Sequence, residues 1–140
     1  MHYKKGKHIA NILRIIMCFF ILSACGKEEI KIQQNFEYDI RVQKYRTDVS
    51  IGKPIEFVFF IENTGNYSDV TYSVNYFIRK GGGTLYWDNR PITENVNYSL
   101  SGRTLKILYI PTRQGGHTIE VDFSDNFNLH KEISIELTAQ

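Results

Sequence analysis

From residue 35 onward, apolar and polar positions alternate with a period of two through most of the chain. Phe36, Tyr38, Ile40 and Val42 alternate with Glu37, Asp39, Arg41 and Gln43, the pattern of a strand buried on one face. Lys53-Pro54 opens a second run in which Ile55, Phe57, Phe59 and Ile61 share a face; proline suits a strand start because no ladder donor is needed there. After turn residues 63–66 comes a third run, with Val70, Tyr72, Val74, Tyr76 and Ile78 on one side and Thr71, Ser73, Asn75 and Phe77 on the other. Gly81, Gly82 and Gly83 interrupt it. Glycine reaches positive φ without a Cβ clash, so the triplet predicts a hairpin tip leading into Thr84 to Trp87.

A looser stretch, Asp88 to Leu100, contains Pro91 and predicts a crossing between sheets, and Ser101-Gly102 marks a turn. The last third is the most regular. Arg103 to Ile110 reads as a strand, residues 111–116 as a connection, and Ile119, Val121 and Phe123 alternate with Thr118, Glu120 and Asp122. A turn at 124–128 leads to a final strand with Ile133, Ile135 and Leu137 inside. Seven short strands separated by turn signals predict an all-β fold, an immunoglobulin-like β-sandwich of about seven strands over residues 35–140.

The amino-terminal part has a different grammar. Lys4, Lys5, Lys7 and Arg14 precede an uncharged run from Ile15 to Leu22, the profile of a signal peptide over residues 1–24. The run is too short for a spanning helix, which needs about 20 mainly apolar residues. Leu22-Ser23-Ala24-Cys25 resembles the bacterial lipobox, in which small residues admit the peptidase and the cysteine thiol takes the lipid before cleavage. Cys25 is then the lipidation site and the first residue of the mature chain, followed by a tether through residue 34. Two or three acyl chains anchor stably where one does not.

Gly26 rather than Asp follows Cys25, which favours the outer membrane. Lys27, Glu28 and Glu29 resemble the Lys-acid-acid signal with which Bacteroides-type bacteria export lipoproteins to the cell surface; a charged, solvated linker reads the same way and leaves the anchor on the periplasmic face. The leader holds four of the 17 basic residues and none of the 15 acids. The remainder is slightly acidic and offers no basic excess for direct nucleic-acid binding. Neither cysteine, Cys18 or Cys25, falls in the strand-rich part, so its stability comes from burial rather than disulfides.

The succession Tyr72 to Phe77, a glycine break, Leu105 to Pro111, then Gly115 to Phe127, set behind a lipobox leader, resembles the TraQ family of conjugative-transposon proteins from Bacteroides-type bacteria. The resemblance spans the mature domain and implies a small envelope lipoprotein of a conjugative transfer apparatus, with other apparatus proteins as partners. It implies no catalytic residues.

The residues themselves point away from catalysis. Nucleophilic catalysis needs an activated Ser or Cys beside a base, and the strand-rich part has no Cys and only His117 and His130, in no recognisable arrangement. His117 shares strand parity with Ile119, which predicts a structural role. Asp122, Asp125, Asn126 and Asn128 could supply calcium with oxygen ligands, but turns favour the same residues for their bonds to nearby amides. No metal or cofactor is expected. The binding candidates are Phe77, Tyr86 and Trp87, an aromatic platform beside the glycines suited to a protein partner or a sugar ring. Neighbouring strand residues face opposite ways, and Trp87 is expected in the core with Phe77 and Tyr86 outside. The alternative function is a surface glycan-binding module of a nutrient-uptake system.

Overall fold

In the computed structural model, the described residues are 36–140 except 64 and 66–68. The leader, Cys25, Lys27, Glu28 and Glu29 lie outside them. Ten strands follow one another: β1 (Tyr38–Val42), β2 (Asp48–Val49), β3 (Ile55–Asn63), β4 (Tyr72–Lys80), β5 (Gly83–Trp87), β6 (Arg90–Pro91), β7 (Tyr98–Leu100), β8 (Thr104–Pro111), β9 (Gly115–Asp125) and β10 (His130–Ala139). They form two five-stranded sheets, ordered β1-β3-β8-β5-β6 and β2-β10-β9-β4-β7, packed face to face. All pairings are antiparallel except the short β2, which runs parallel to the end of β10.

The seven strands read from the sequence are all present, and β2, β6 and β7 are short additions. Two of these, β6 and β7, lie in the looser stretch, which does carry the chain from one sheet to the other. Their shortness hides them from a periodicity argument. The β5–β6 link is a two-residue turn in which Asp88 and Asn89 have φ of 49° and 61°, the double positive φ of a type I′ hairpin.

The glycine run departs from expectation. It is not a hairpin tip, because β4 and β5 belong to different sheets; it carries the chain across one end of the sandwich. Gly81 has φ +86°, and a Cβ there would lie 2.4 Å from His117 Nδ1. A Cβ on Gly83 would lie 2.5 Å from the Ile110 carbonyl oxygen and from the Tyr109 ring. The glycines therefore serve close approach to a buried side-chain pair, and sharp reversal is not their task.

Between the sheets, Phe57, Phe59, Leu85 and Leu105 meet Ile119, Val121, Phe123 and Ile135, all essentially without solvent exposure. Burying each such side chain contributes about 1.5–3 kcal/mol. The alternation that predicts the strands is what supplies this single apolar layer. Three buried tyrosines add polar ties. Tyr38 Oη on β1 bonds the carbonyls of Phe123 and Leu129, each at 2.9 Å. Tyr76 on β4 donates to the Ile92 carbonyl at 2.7 Å, and Tyr109 on β8 meets His117 Nδ1 on β9 at 2.7 Å.

Removal from water pushes the phenols of Tyr76 and Tyr109 up to about 12, with the Glu94 charge adding to both; burial, then the Asp125 charge, raises Tyr38 in the same direction. A tyrosine in the unfolded chain titrates near 10. The folded state thus holds its protons longer, so stability is level below pH 10 and falls as pH rises from there towards 12. Phenolate absorbance should accordingly rise together with loss of sheet circular dichroism in that window, and Tyr109→Phe should flatten the dependence.

A second expectation concerns the crossing. Gly81→Ala should destabilise by about 2 kcal/mol or more in denaturant titrations. Gly102→Ala, where a Cβ meets nothing within 4 Å, should change stability by less than about 0.5 kcal/mol.

Candidate functional site

Strand parity places the three aromatic candidates. Phe77 lies on β4, directly opposite Glu120 of β9, on the outer face of the second sheet. The Arg79 guanidinium stands 4.8 Å from its ring centroid and is ion-paired to Glu120, so one face of that ring is taken. Tyr86 lies on β5 beside Leu108 and Pro91, on the outer face of the first sheet. Phe77 and Tyr86 thus look away from each other across the sandwich, and the three aromatics do not make one platform. Trp87 points inward as expected, but packs half-buried against the margin of the core.

Its partner is a residue the sequence reading passed over. Tyr98 of β7 meets the Trp87 ring edge-on, with centroids 6.3 Å apart and planes at 82°. The two come from different sheets, on the side where the short edge strands β6 and β7 approach. Together with Asp88, Arg90, Pro91 and Ile92 they line an open cleft of about 530 Å³. The loop beneath is pinned: Thr93 N–H donates to Tyr98 Oη at 2.8 Å, Ile92 N–H to the Leu85 carbonyl at 3.0 Å, and Tyr76 Oη to the Ile92 carbonyl. A cleft with an aromatic wall, one carboxylate and one guanidinium can stack a flat ring and bond its polar rim. Tyr98 sits in a three-residue strand, too short to give a period, so only its aromatic character could have signalled it.

The remaining polar candidates have structural occupations. His117 is buried on β9; its Nε2 lies 2.8 Å from the Arg113 carbonyl, which can only accept, so Nε2 carries the proton and Nδ1 accepts from Tyr109 Oη. In the β9–β10 turn, Asp125 Oδ1 accepts from the N–H groups of Phe127 at 2.9 Å and Leu129 at 2.8 Å. Asn126 accepts from Thr71 N–H and donates to the Asp69 carbonyl, both at 3.0 Å. Asn128 takes φ of 65°, the left-handed position asparagine tolerates. These are the turn roles of Asp and Asn. Asp122 instead faces His130, Oδ2 to Nδ1, at 3.1 Å. Among the described residues no group of three or more His, Cys, Asp or Glu side chains is arranged to hold a metal ion.

The family of TraQ conjugal transfer proteins matches residues 8–140. The chain belongs to that family. Its fold is similar to that of a conjugative transposon lipoprotein from Bacteroides eggerthii, with TM-score 0.67 and 23% identity over 74% of this chain and 98% of that one. A lipoprotein from Bacteroides thetaiotaomicron gives TM-score 0.67 and 22% identity, covering 82% of this chain and 89% of its own. A conjugate transposon protein from Bacteroides vulgatus gives 0.66 and 20%, covering 79% and 91% respectively. No curated protein matches the chain. At these identities the solved structures speak for the fold, and membership in the TraQ family rests on the match across the sequence.

The chain has a single tryptophan, so its emission reports on the cleft. Tyr98→Ala should shift that emission to the red and lower stability by about 1–3 kcal/mol, whereas Phe77→Ala should leave the emission unchanged.

Proposed function

We propose that the chain is a lipid-anchored, non-enzymatic accessory or structural component of a conjugative transfer apparatus at the outer membrane, acting through protein contacts. The carrying observation is that the TraQ family match runs from residue 8 to the last residue, taking in Leu22-Ser23-Ala24-Cys25 as well as the sandwich. In this reading residues 1–24 are the lipoprotein signal peptide, 25–34 the lipidated cysteine and tether, and 35–140 the domain. Two of the similar proteins, from Bacteroides eggerthii and Bacteroides thetaiotaomicron, are lipoproteins, which supports the anchor on Cys25. Fully extended, residues 26–34 reach about 30 Å, so the domain works close to the bilayer. Lys27, Glu28 and Glu29 would direct it to the cell surface.

The domain reading is immunoglobulin-like. Its support is strand order: the seven long strands β1-β3-β8-β5 and β4-β9-β10 follow the ABED and CFG arrangement of that fold. Such a domain is a recurrent scaffold for protein contacts, and fold alone assigns no chemistry to it.

A second reading, a surface glycan-binding module, has the Trp87–Tyr98 cleft in its favour. The two separate in one experiment. A donor lacking the gene should lose conjugative transfer by at least about tenfold, and wild type but not Cys25→Ala should restore it. If transfer is unchanged by the deletion, the conjugation reading fails; saturable quenching of Trp87 by oligosaccharides would then support the glycan reading.

A further inference from the structure

The sheet edges are not treated alike. The β4 edge is closed by β7 and by the loop before it: Ile78 N–H donates to Glu94 Oε2 and Asn95 N–H to the Tyr76 carbonyl, both at 3.1 Å. The β5 edge is closed by β6. On β1, the outward Ile40 N–H is answered by the Asp39 carboxylate at 2.9 Å. The ten-residue β10 is different. Beyond β9 it pairs only with the two residues of β2, at Thr138 and Ala139.

Hydrogen bonds at that covered end show which residues of β10 turn outward. Thr138 N–H donates to the Thr47 carbonyl at 2.7 Å, Gln140 N–H to the Val49 carbonyl at 2.9 Å, and Ile51 N–H to the Gln140 carbonyl at 3.1 Å. The β9–β10 register is unbroken from His130 to Ala139. Strand alternation therefore aims the N–H and C=O groups of Glu136, Ser134 and Glu132 away from β9 as well. No backbone partner meets them among the described residues. The slot runs in line with β2 for about 20 Å.

The side chains of the slot are also selective. Glu132 and Glu136 are exposed, and Glu132 stands directly opposite Asp122 on β9, a like-charge pair that costs stability unless a cation relieves it. His130 approaches Asp122 from one side. Beside the start of the slot, Glu37 and Asp39 line a cleft of about 350 Å³ with Tyr38, Glu62, Leu129 and Lys131. A second copy of the chain would bring the same carboxylates: paired antiparallel about Ser134, it sets Glu132 against Glu136. We propose that the open edge of β10, from His130 to Leu137, receives an extended segment of a protein partner that carries lysine or arginine at alternate positions and adds as a strand in line with β2. The inference rests on the protein-contact reading above and names the chemistry of that contact. Main-chain bonds supply attachment, and the carboxylates on one face supply register and choice.

The test uses the full chain in detergent and a fluorescent seven-residue peptide alternating lysine with valine, against the same peptide with glutamate for lysine. The lysine peptide should bind, more weakly as salt rises, and the glutamate peptide should not. Ser134→Pro removes one outward donor without touching the β9 ladder and should weaken binding by about tenfold or more while leaving Trp87 emission as in wild type. Should that variant misfold, the exposed pair Glu132→Lys/Glu136→Lys decides, and should reverse the preference to the glutamate peptide. Equal binding of both peptides, no binding of either, indifference to both sets of substitutions, or pairing of wild-type chains through β10 would each overturn the proposal. In donors, full rescue of transfer by Glu132→Lys/Glu136→Lys would reject the edge while leaving the conjugation role standing; transfer unaffected by deleting the gene would reject that role itself.

Discussion

Tyr109 from one sheet and His117 from the other share a buried hydrogen bond of 2.7 Å, and much of that end of the molecule is arranged around it. Neither residue could be kept there alone: a buried phenol or imidazole without a partner costs about 1–3 kcal/mol. The pair is completed by the Arg113 carbonyl on the His117 Nε2 side, which fixes the middle of the β8–β9 connection. It also dictates the β4–β5 crossing, since Gly81 and Gly83 pass so close to these two rings that no side chain fits. One polar contact thus sets two loops and the spacing of the sheets between them. With no cysteine among residues 36–140, such contacts do what a covalent bridge does in many small exported domains.

The long strands were legible because a two-residue period survives wherever one face is buried. That condition holds along Ile55–Asn63, Thr104–Pro111 and Gly115–Asp125. It fails for two- and three-residue strands, whose partners rather than whose patterns define them, and so Tyr98 went unseen. The glycine triplet was misread for a related reason. Glycine announces that the backbone needs room or an unusual φ, and a sequence does not say whether the need is a tight reversal or a neighbour's ring. Candidate aromatics were equally ambiguous: Phe77 and Tyr86 are nine positions apart, yet the intervening crossing sends them to opposite outer faces.

That separation shapes what the domain can present. The outer face of the second sheet is polar and carries Glu120, Asp122, Glu132 and Glu136, with Arg79 and His130 in reply. The first sheet shows Phe60, Leu108 and Tyr86 among Arg41, Glu56 and Lys106. An aromatic cleft occupies one lateral side and an unfilled strand position the other. In a TraQ-family domain built this way the cleft and the open edge proposed as contact surfaces lie on opposite lateral sides, so occupation of one leaves the other clear.

The short β2 carries a mechanical consequence. The chain enters the sandwich by pairing with β3 in one sheet and then, within a few residues, with the carboxyl end of β10 in the other. Because β2 runs parallel to β10, tension applied between the amino end of the domain and its last strand stretches their hydrogen bonds side by side, in shear, instead of peeling them one at a time. Bonds loaded together must fail together. A pull at the amino end of the domain is therefore resisted where β2 meets β10, and the rate of forced unfolding is governed by the first dozen residues of the fold.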